Sequence, residues 1–166
     1  MKVELKILDP RLAGWGFPNW GSELAAGLDL HACIDAPLAL EPQAPPILIS
    51  AGIAIRIGDP EWCALVLPRS GLGHKEGLVL GNTVGLVDPD YEGPCRISAW
   101  NRNPAGGGIA IRPGERIAQL VFTRIARPEF TVVSAFSVTG ARRSGGFGST
   151  GVEAACPKPS GRRNSG

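Results

Sequence analysis

Apolar and polar side chains alternate along most of the chain with a period of two residues, the spacing that turns one face of a β-strand toward a core. The opening segment shows this clearly, since Val3, Leu5 and Ile7 alternate with charged residues. The run at 62–67 is instead apolar throughout, which indicates a more deeply buried strand. The pattern predicts strands at 3–7, 28–32, 53–57, 62–67, 95–100, 108–111 and 116–122.

Turn-forming residues separate these strands. Glycine, proline, aspartate and asparagine cluster at 58–60, 88–90, 103–107 and 113–114. Many short strands joined by such turns are typical of an all-β sandwich, jelly roll or small barrel. Only one or two helical turns are predicted, at 70–76. The expected fold is therefore all-β.

Composition agrees with this fold and narrows the possible partners. The 166 residues suit a single domain, and 23 Gly and 15 Pro suit many turns. The net charge of +2 comes entirely from the segment 153–166, which has one acidic and three basic residues, so residues 1–152 are formally neutral. A neutral body argues against nucleic acid as a partner. The Pro, Ser and Gly of the last segment predict a disordered basic tail.

The cysteines and the N-terminus indicate the cellular compartment. Residues 33, 63, 95 and 156 are cysteines without a C-x-x-C pair, which argues against a zinc site. The N-terminus lacks the apolar region of a signal peptide, and no run reaches transmembrane length. We expect a cytoplasmic protein with reduced thiols and no membrane partner.

Five polar islands remain once the alternation is accounted for, at 26–30, 68–73, 81–93, 113–119 and 142–151. Taken singly, each has a structural explanation, such as an edge-strand charge, a helix cap or ordinary turn chemistry. Taken together they supply phosphate-binding donors, carboxylates that can orient water, and aromatic rings that can pack on a base or sugar. These side chains are respectively Arg69, Gln119 and Arg142; Asp29 and Asp88; and Tyr91 and Phe147.

The last island contains "GGFGSTG", whose letters satisfy the dinucleotide-binding pattern G-x-G-x-x-G. That pattern requires a preceding strand, a following helix and a second strand. Only 15 residues follow Gly151, too few for the helix and second strand. A glycine-rich arm with one aromatic ring and nearby arginines is the remaining interpretation.

The five islands, in this order and spacing, resemble the motifs of the trimeric deoxyuridine triphosphatase (dUTPase) family. The resemblance covers residues 3 to 151 and is carried by "PRSGLG", "GNTVGLVDPDYEG", "RPGERIAQL" and "GGFGSTG". It implies a distorted jelly-roll (β-clip) subunit and a homotrimer whose C-terminal arm completes each active site. It also implies Mg²⁺-dependent hydrolysis of dUTP to dUMP and pyrophosphate, which keeps uracil out of DNA and supplies dUMP for dTMP synthesis.

The resemblance further implies a role for each matched residue. Asp88 corresponds to the general base for the water that attacks the α-phosphorus, and Arg142 to the arginine on the γ-phosphate. Asp29 corresponds to a carboxylate that reaches Mg²⁺ through water, while the substrate phosphates hold most of the metal. The other implied contacts are Arg69, Ser70 and Gln119 to phosphates, Asn82 with its hairpin backbone to uracil, Tyr91 under the deoxyribose, Phe147 over the uracil, and Gly71, Val87, Gly148 and Ser149 to the substrate in general.

The implied organisation is a core at 1–139, a flexible arm at 140–152 and the tail at 153–166. Two departures from the family pattern stand out. Arg143 occupies a usual glycine position, so Arg142 and Arg143 both remain candidates for the γ-phosphate. The stretch 15–24 has Trp20 where a tyrosine is common, for which we expect a local loop change.

Three other interpretations fit the sequence less well. A dCTP deaminase, a relative with the same fold, would carry a catalytic Glu five residues beyond Gly93, where this chain has Ser98. A non-catalytic nucleotide-binding protein would not need Asp88, Gln119 and the arm together. A single-strand nucleic-acid module would need several aromatic faces in a basic groove, but aromatic residues make up only 6% of the chain.

Overall fold

The computed structural model describes residues 1–137 of the chain. Residues Met1–Arg127 form one compact unit that contains every helix and strand described here. The strands are β1 Glu4–Ile7, β2 Leu28–His31, β3 Leu38–Leu40, β4 Ile47–Arg56, β5 Trp62–Pro68, β6 Leu78–Leu80, β7 Gly85–Val87, β8 Pro94–Asn101, β9 Ile109–Ile111 and β10 Arg116–Arg124. The helical segments are a short helix α1, Arg11–Gly14, and one π-helical turn α2, Leu72–Glu76.

The strands form three antiparallel sheets. One sheet has the order β1-β4-β8-β6, a second has the order β2-β10-β5-β7, and β3 pairs with β9. Leu30, Ala118 and Leu120 of the second sheet join Ile53 and Ile97 of the first in one buried cluster. Period-two alternation produces this core because it turns alternate side chains of each strand inward. The all-β prediction is confirmed.

All seven predicted strands are present, and α2 lies within the helical segment predicted at 70–76. The strands β3, β6 and β7 were not predicted, because a run of three residues shows a period of two only weakly; β9 is equally short but lies between two predicted turns. The strand β4 begins at Ile47, six residues before the predicted start, because Gly52 interrupts the apolar pattern inside it. In the described part of the chain no helix is long and apolar enough to cross a membrane.

Candidate active site

A cleft of about 470 Å³ opens at one end of the second sheet. Its polar lining consists of Asp29, Arg69, Ser70 and Gln119, with the backbone of Gly71 beside them. Asp29 lies on β2, Gln119 lies on β10, and the other three follow the last residue of β5. Residues from three of the five sequence islands therefore meet at this cleft.

Strand register brings the two sheet residues together. Asp29 pairs directly with Gln119, and residues directly opposite in an antiparallel pair share a face of the sheet. A bulge between Arg116 and Ala118 then shifts the register, so Arg116 pairs with His31. Because His31 is two residues from Asp29, this shift puts Arg116 on the Asp29 face of the sheet.

Two arginines hold the Asp29 carboxylate. Arg69 Nε lies 3.0 Å from Asp29 Oδ1, and Arg116 Nη1 lies 2.9 Å from Asp29 Oδ2. The Asp29 side chain is only 11% exposed, so both of its oxygens need charged partners. The three groups together carry one net positive charge, which makes this end of the cleft attractive to an anion.

Two further hydrogen bonds orient the side chains of Arg69 and Gln119, whose N–H groups are donors of the kind that can bind phosphate. Arg69 Nη1 donates to the carbonyl oxygen of Arg116 at 3.2 Å, and Gln119 Nε2 donates to the carbonyl oxygen of Pro68 at 3.0 Å. Gly27 packs directly on Gln119, since a Cβ there would overlap the Gln119 amide. The sequence A-G-L-D-L thus needs its glycine for close approach to β10.

A second, smaller cleft of about 180 Å³ is lined by Asn82, Val87 and Tyr91. The Tyr91 hydroxyl donates to the carbonyl oxygen of Pro94 at 3.2 Å, and the ring covers Gly93, where a Cβ would contact the hydroxyl. Asp88 directly follows Val87, is exposed, and accepts a hydrogen bond from the Tyr91 N–H at its carbonyl oxygen, at 3.2 Å.

The predicted site residues therefore fall into separate groups. The larger cleft holds Asp29, Arg69, Ser70, Gly71 and Gln119, whereas the smaller holds Asn82, Val87 and Tyr91, and among residues 1–137 the two share no lining residue. Asp88 lines neither cleft and directly follows Val87 in the chain. Arg142, Phe147, Gly148 and Ser149 lie outside the described residues, as does Arg143.

The residues of the larger cleft suit a magnesium ion that contacts the protein through its bound water molecules. Among residues 1–137, no three His, Cys, Asp or Glu side chains are grouped to hold a metal. Asp29 is the single carboxylate lining the cleft, and both of its oxygens already contact arginines. Each carboxylate oxygen keeps a second lone pair that can accept a hydrogen bond from metal-bound water. Such a site suits Mg²⁺, which retains waters and favours phosphate oxygens.

Among residues 1–137, the clearly shifted pKa values belong to groups outside the larger cleft, and one of these groups, Cys95, lines the smaller cleft. Hydrogen bonds from Arg11 lower the pKa of Asp9 to about 2, and those bonds in turn raise the pKa of Arg11. Burial, and then the nearby Asp9 carboxylate, raises the pKa of the Cys33 thiol to about 11. Burial also raises the pKa of Cys95. Cys33, Cys63 and Cys95 are all free thiols.

Arg116, which contacts Asp29, and Trp20, which lines the larger cleft, were not predicted as site residues. Arg116 was inside the fourth island, but only the bulge in β10 shows that it reaches Asp29. Trp20 lines the cleft from the loop before β2. Its sequence signal was the departure from the family pattern at that position, which was interpreted as a loop change.

Comparison with known proteins gives consistent results. The family model described as dUTPase matches residues 14–151. A deoxyuridine 5'-triphosphate nucleotidohydrolase of Xanthomonas campestris pv. campestris is 51% identical over 151 residues, which are 90% of this chain and 97% of that protein. A protein of the same name from Albidiferax ferrireducens is 52% identical over 151 residues, covering 91% of this chain and 98% of its own.

Solved structures agree in fold. The dUTPase of Staphylococcus bacteriophage 80alpha, solved with dUPNHPP, superposes with a TM-score of 0.75 at 26% identity and covers 91% of this chain and 99% of its own. A dUTPase from phage phi11 of S. aureus, reported with a structural Mg(II) ion, has a TM-score of 0.71 at 23% identity and covers 83% and 100% of the two chains. This likeness confirms the jelly-roll-like fold. Since the family model spans most of the chain and relatives share half of its residues, the chain belongs to the dUTPase family.

Proposed function

We propose that this chain hydrolyses dUTP to dUMP and pyrophosphate. The observation that carries the proposal is the larger cleft, where Asp29 holds Arg69 and Arg116 in place beside Gln119. A guanidinium fork and an amide donor are suited to phosphate oxygens. Phosphoryl transfer depends mainly on such positioning and on charge neutralisation.

The reaction needs no covalent intermediate. A water molecule attacks the α-phosphorus, Asp88 accepts its proton, and the bond from the α-phosphorus to the bridging oxygen breaks, so pyrophosphate leaves with the electron pair. Asp88 is exposed and directly follows Val87, which lines the cleft that contains Tyr91, so its carboxylate is accessible to water. An accessible carboxylate beside the nucleoside cleft is suited to act as a general base.

The smaller cleft is assigned to the nucleoside. Asn82 offers both a donor and an acceptor to the edge of uracil, with Val87 as an apolar contact. Tyr91, fixed by Pro94 and lying over Gly93, provides a rigid face beneath the deoxyribose. Rigid packing there disfavours the additional hydroxyl of a ribose.

Magnesium is the proposed cofactor. When bound, it would neutralise charge on the substrate phosphates, which supply most of its ligands. Asp29 would contact it through water, because both carboxylate oxygens already contact arginines.

The proposed active unit is a homotrimer. Among residues 1–137, the proposed phosphate and nucleoside clefts share no lining residue, so a neighbouring subunit is the simplest source of the missing half of each site. The core at 1–139, the arm at 140–152 and the tail at 153–166 complete the proposal. In the arm, Phe147 covers the uracil, Gly148 and Ser149 contact the substrate, and Arg142 or Arg143 contacts the γ-phosphate.

Pyrophosphate release from dUTP, UTP, dCTP and dTTP, with and without Mg²⁺, tests the function. Magnesium-dependent release from dUTP far above the other three nucleotides is the expected result. Ammonia release from dCTP would instead indicate a deaminase, although Ser98 on β8 provides no carboxylate for that chemistry. Nucleotide binding without any turnover would indicate a non-catalytic protein.

A further inference from the structure

Trp20 is the one aromatic side chain among the described residues that line the larger cleft. It lines the larger cleft with Asp29, Arg69 and Gln119, and it is 43% exposed. An indole with this exposure contributes little to the core of one subunit, so it is accessible to a ligand in the cleft.

The backbone ties Trp20 to Asp29. The Asp29 N–H donates to the carbonyl oxygen of Asn19 at 3.1 Å, which joins the loop to β2 at the residue that contacts both arginines. The Gly21 N–H donates to Asn19 Oδ1 at 2.8 Å, and the Ser22 N–H donates to the Trp20 carbonyl oxygen at 2.8 Å. Because the Asn19 carbonyl oxygen links this turn to Asp29, a movement of the turn that carries Trp20 would disturb Asp29.

The chemistry of the indole suits an anion in this cleft. Its Nε1–H is a donor with no acceptor function, and within residues 1–137 it has no protein hydrogen-bond partner. Trp100 differs, since its Nε1 donates to the carbonyl oxygen of Ala44 at 3.0 Å. The flat face of Trp20 would also exclude water beside the arginines, and their attraction for an anion is stronger where water is excluded.

We propose that Trp20 is a positioning residue for the polyphosphate chain of the substrate, forming one wall of the phosphate cleft and donating its Nε1–H to a phosphate oxygen. This inference rests on the proposed dUTP hydrolysis. It assigns Trp20 to the phosphates and not to the base, because the groups that suit a base and sugar, Asn82 and Tyr91, line the other cleft.

Three full-length variants separate the parts of the proposal. Trp20→Phe keeps an aromatic wall and removes the N–H, whereas Trp20→Ala removes both. Trp62→Phe is the matched control, since Trp62 begins β5 and the cleft lies beyond its end at Pro68, about 20 Å away at the usual rise per residue. Trp62 lies against Arg124, outside the cleft.

Steady-state kinetics and inhibition provide the first measurement. Loss of a hydrogen bond to a charged acceptor predicts that Trp20→Phe raises the KM for dUTP about tenfold with kcat within about twofold. Trp20→Ala raises KM further. Both weaken inhibition by magnesium pyrophosphate but leave inhibition by deoxyuridine unchanged, a selectivity that a general loss of structure would not produce.

Tryptophan fluorescence provides a measurement independent of turnover. Magnesium pyrophosphate should change the emission of the wild type and of Trp62→Phe but not of Trp20→Phe, and deoxyuridine should leave all three unchanged. A response to deoxyuridine through Trp20, or an unchanged KM in Trp20→Ala, overturns the inference. Failure of the wild type to hydrolyse dUTP overturns the proposed function instead, while a Trp20-dependent response to pyrophosphate would still assign the ring to a phosphate site.

Discussion

At the scale of single residues, the two acidic residues of the candidate site, Asp29 and Asp88, differ in burial and in charged partners. Asp29 is nearly buried and forms ion pairs with two arginines, so it determines where their guanidinium groups lie beside the larger cleft. Asp88 is exposed and makes no ion pair within residues 1–137, so its carboxylate is available to a water molecule. Substitutions at or beside these residues should therefore have different consequences.

Asp88→Asn should keep nucleotide binding and lose turnover, because an amide cannot accept the proton of the attacking water. The expected fall in kcat is about 10²–10⁴-fold, the usual contribution of a general base. Asp90→Asn is the matched control, since Asp90 belongs to the same turn but lines a different cleft with Arg56 and Pro60. Rapid pyrophosphate release by Asp88→Asn would remove Asp88 from the mechanism.

Arg116→Gln should weaken both the fold and substrate binding. It leaves the nearly buried Asp29 with Arg69 as its only charged partner. A lost hydrogen bond to a buried charge costs about 1.5–3 kcal/mol, which urea unfolding can measure, and we also expect a higher KM because Arg69 is less well oriented.

Arg124→Gln is the control on the same strand, since Arg124 is exposed and only stacks on Trp62. Its loss should cost no more than about 1 kcal/mol. Equal effects of the two substitutions would show that the Asp29 contact is of no special importance.

At the scale of elements, β4 contains a local irregularity that joins the N-terminal segment to the core. Its register with β8 shifts between Ser50 and Ala54, and Gly52 lies within the shift with a φ of +70°. The Gly52 carbonyl oxygen accepts hydrogen bonds from the N–H groups of Leu8 and Asp9 at 2.7 and 3.0 Å. The bulge thus anchors the chain after β1.

Gly52→Ala should lower the free energy of unfolding by about 2–4 kcal/mol. A left-handed φ costs an alanine about 1–2 kcal/mol, and crowding in a packed region adds a similar amount. The added Cβ would overlap Cys33 Sγ and lie 2.9 Å from Asp9 Cβ.

Gly107→Ala is its control, because no atom lies within 4 Å of the added Cβ and its φ is not positive. Urea unfolding should show a change within about 0.5 kcal/mol for that variant. If the two alanine variants are equally stable, the account of the β4 bulge is wrong.

At the scale of the whole molecule, assembly and acid stability are the properties that the structure bears on. In one chain, the residues proposed to bind the phosphates line the larger cleft, and the residues proposed to bind the nucleoside line the smaller cleft. A closed threefold assembly would unite them, and a closed ring of identical subunits leaves no unsatisfied interface.

Sedimentation equilibrium should therefore give three chains of 17.4 kDa, about 52 kDa, for the active species. Mixing an Asp29→Asn variant with a Tyr91→Ala variant, after dissociation and reassociation, should restore part of the activity, because some sites then combine an intact phosphate cleft with an intact nucleoside cleft. An active monomer, or a mixture no more active than its components, would contradict the trimer.

Acid stability should depend on Asp9. Its pKa is lowered to about 2 in the folded state from an ordinary value of 3.8, so its contribution is complete above about pH 4 and is lost as the pH falls toward 2. Asp9→Asn should flatten the pH dependence of unfolding in that window. Arg11→Gln should flatten it in large part, and the double variant no further than Asp9→Asn, because the side-chain hydrogen bonds from Arg11 at 2.9 and 2.6 Å are the largest cause of the shift. A wild-type slope in Asp9→Asn would refute this assignment.

The sequence by itself determined the fold class, seven of the ten described strands, and four polar residues that line the larger cleft. It could do so because strand burial repeats every two residues and because the motif islands are local in sequence. The three-residue strands β3, β6 and β7 show a period of two only weakly. In the structure β6 and β7 pair with the longer strands β8 and β5, whereas β3 pairs with the equally short β9. Only the tertiary structure decided that Arg116 contacts Asp29 and that Trp20 lines the same cleft. The Arg116 contact depends on a one-residue bulge in β10, and the position of Trp20 depends on a backbone hydrogen bond between Asn19 and Asp29. Such contacts between distant or irregular segments leave no periodic trace in the sequence.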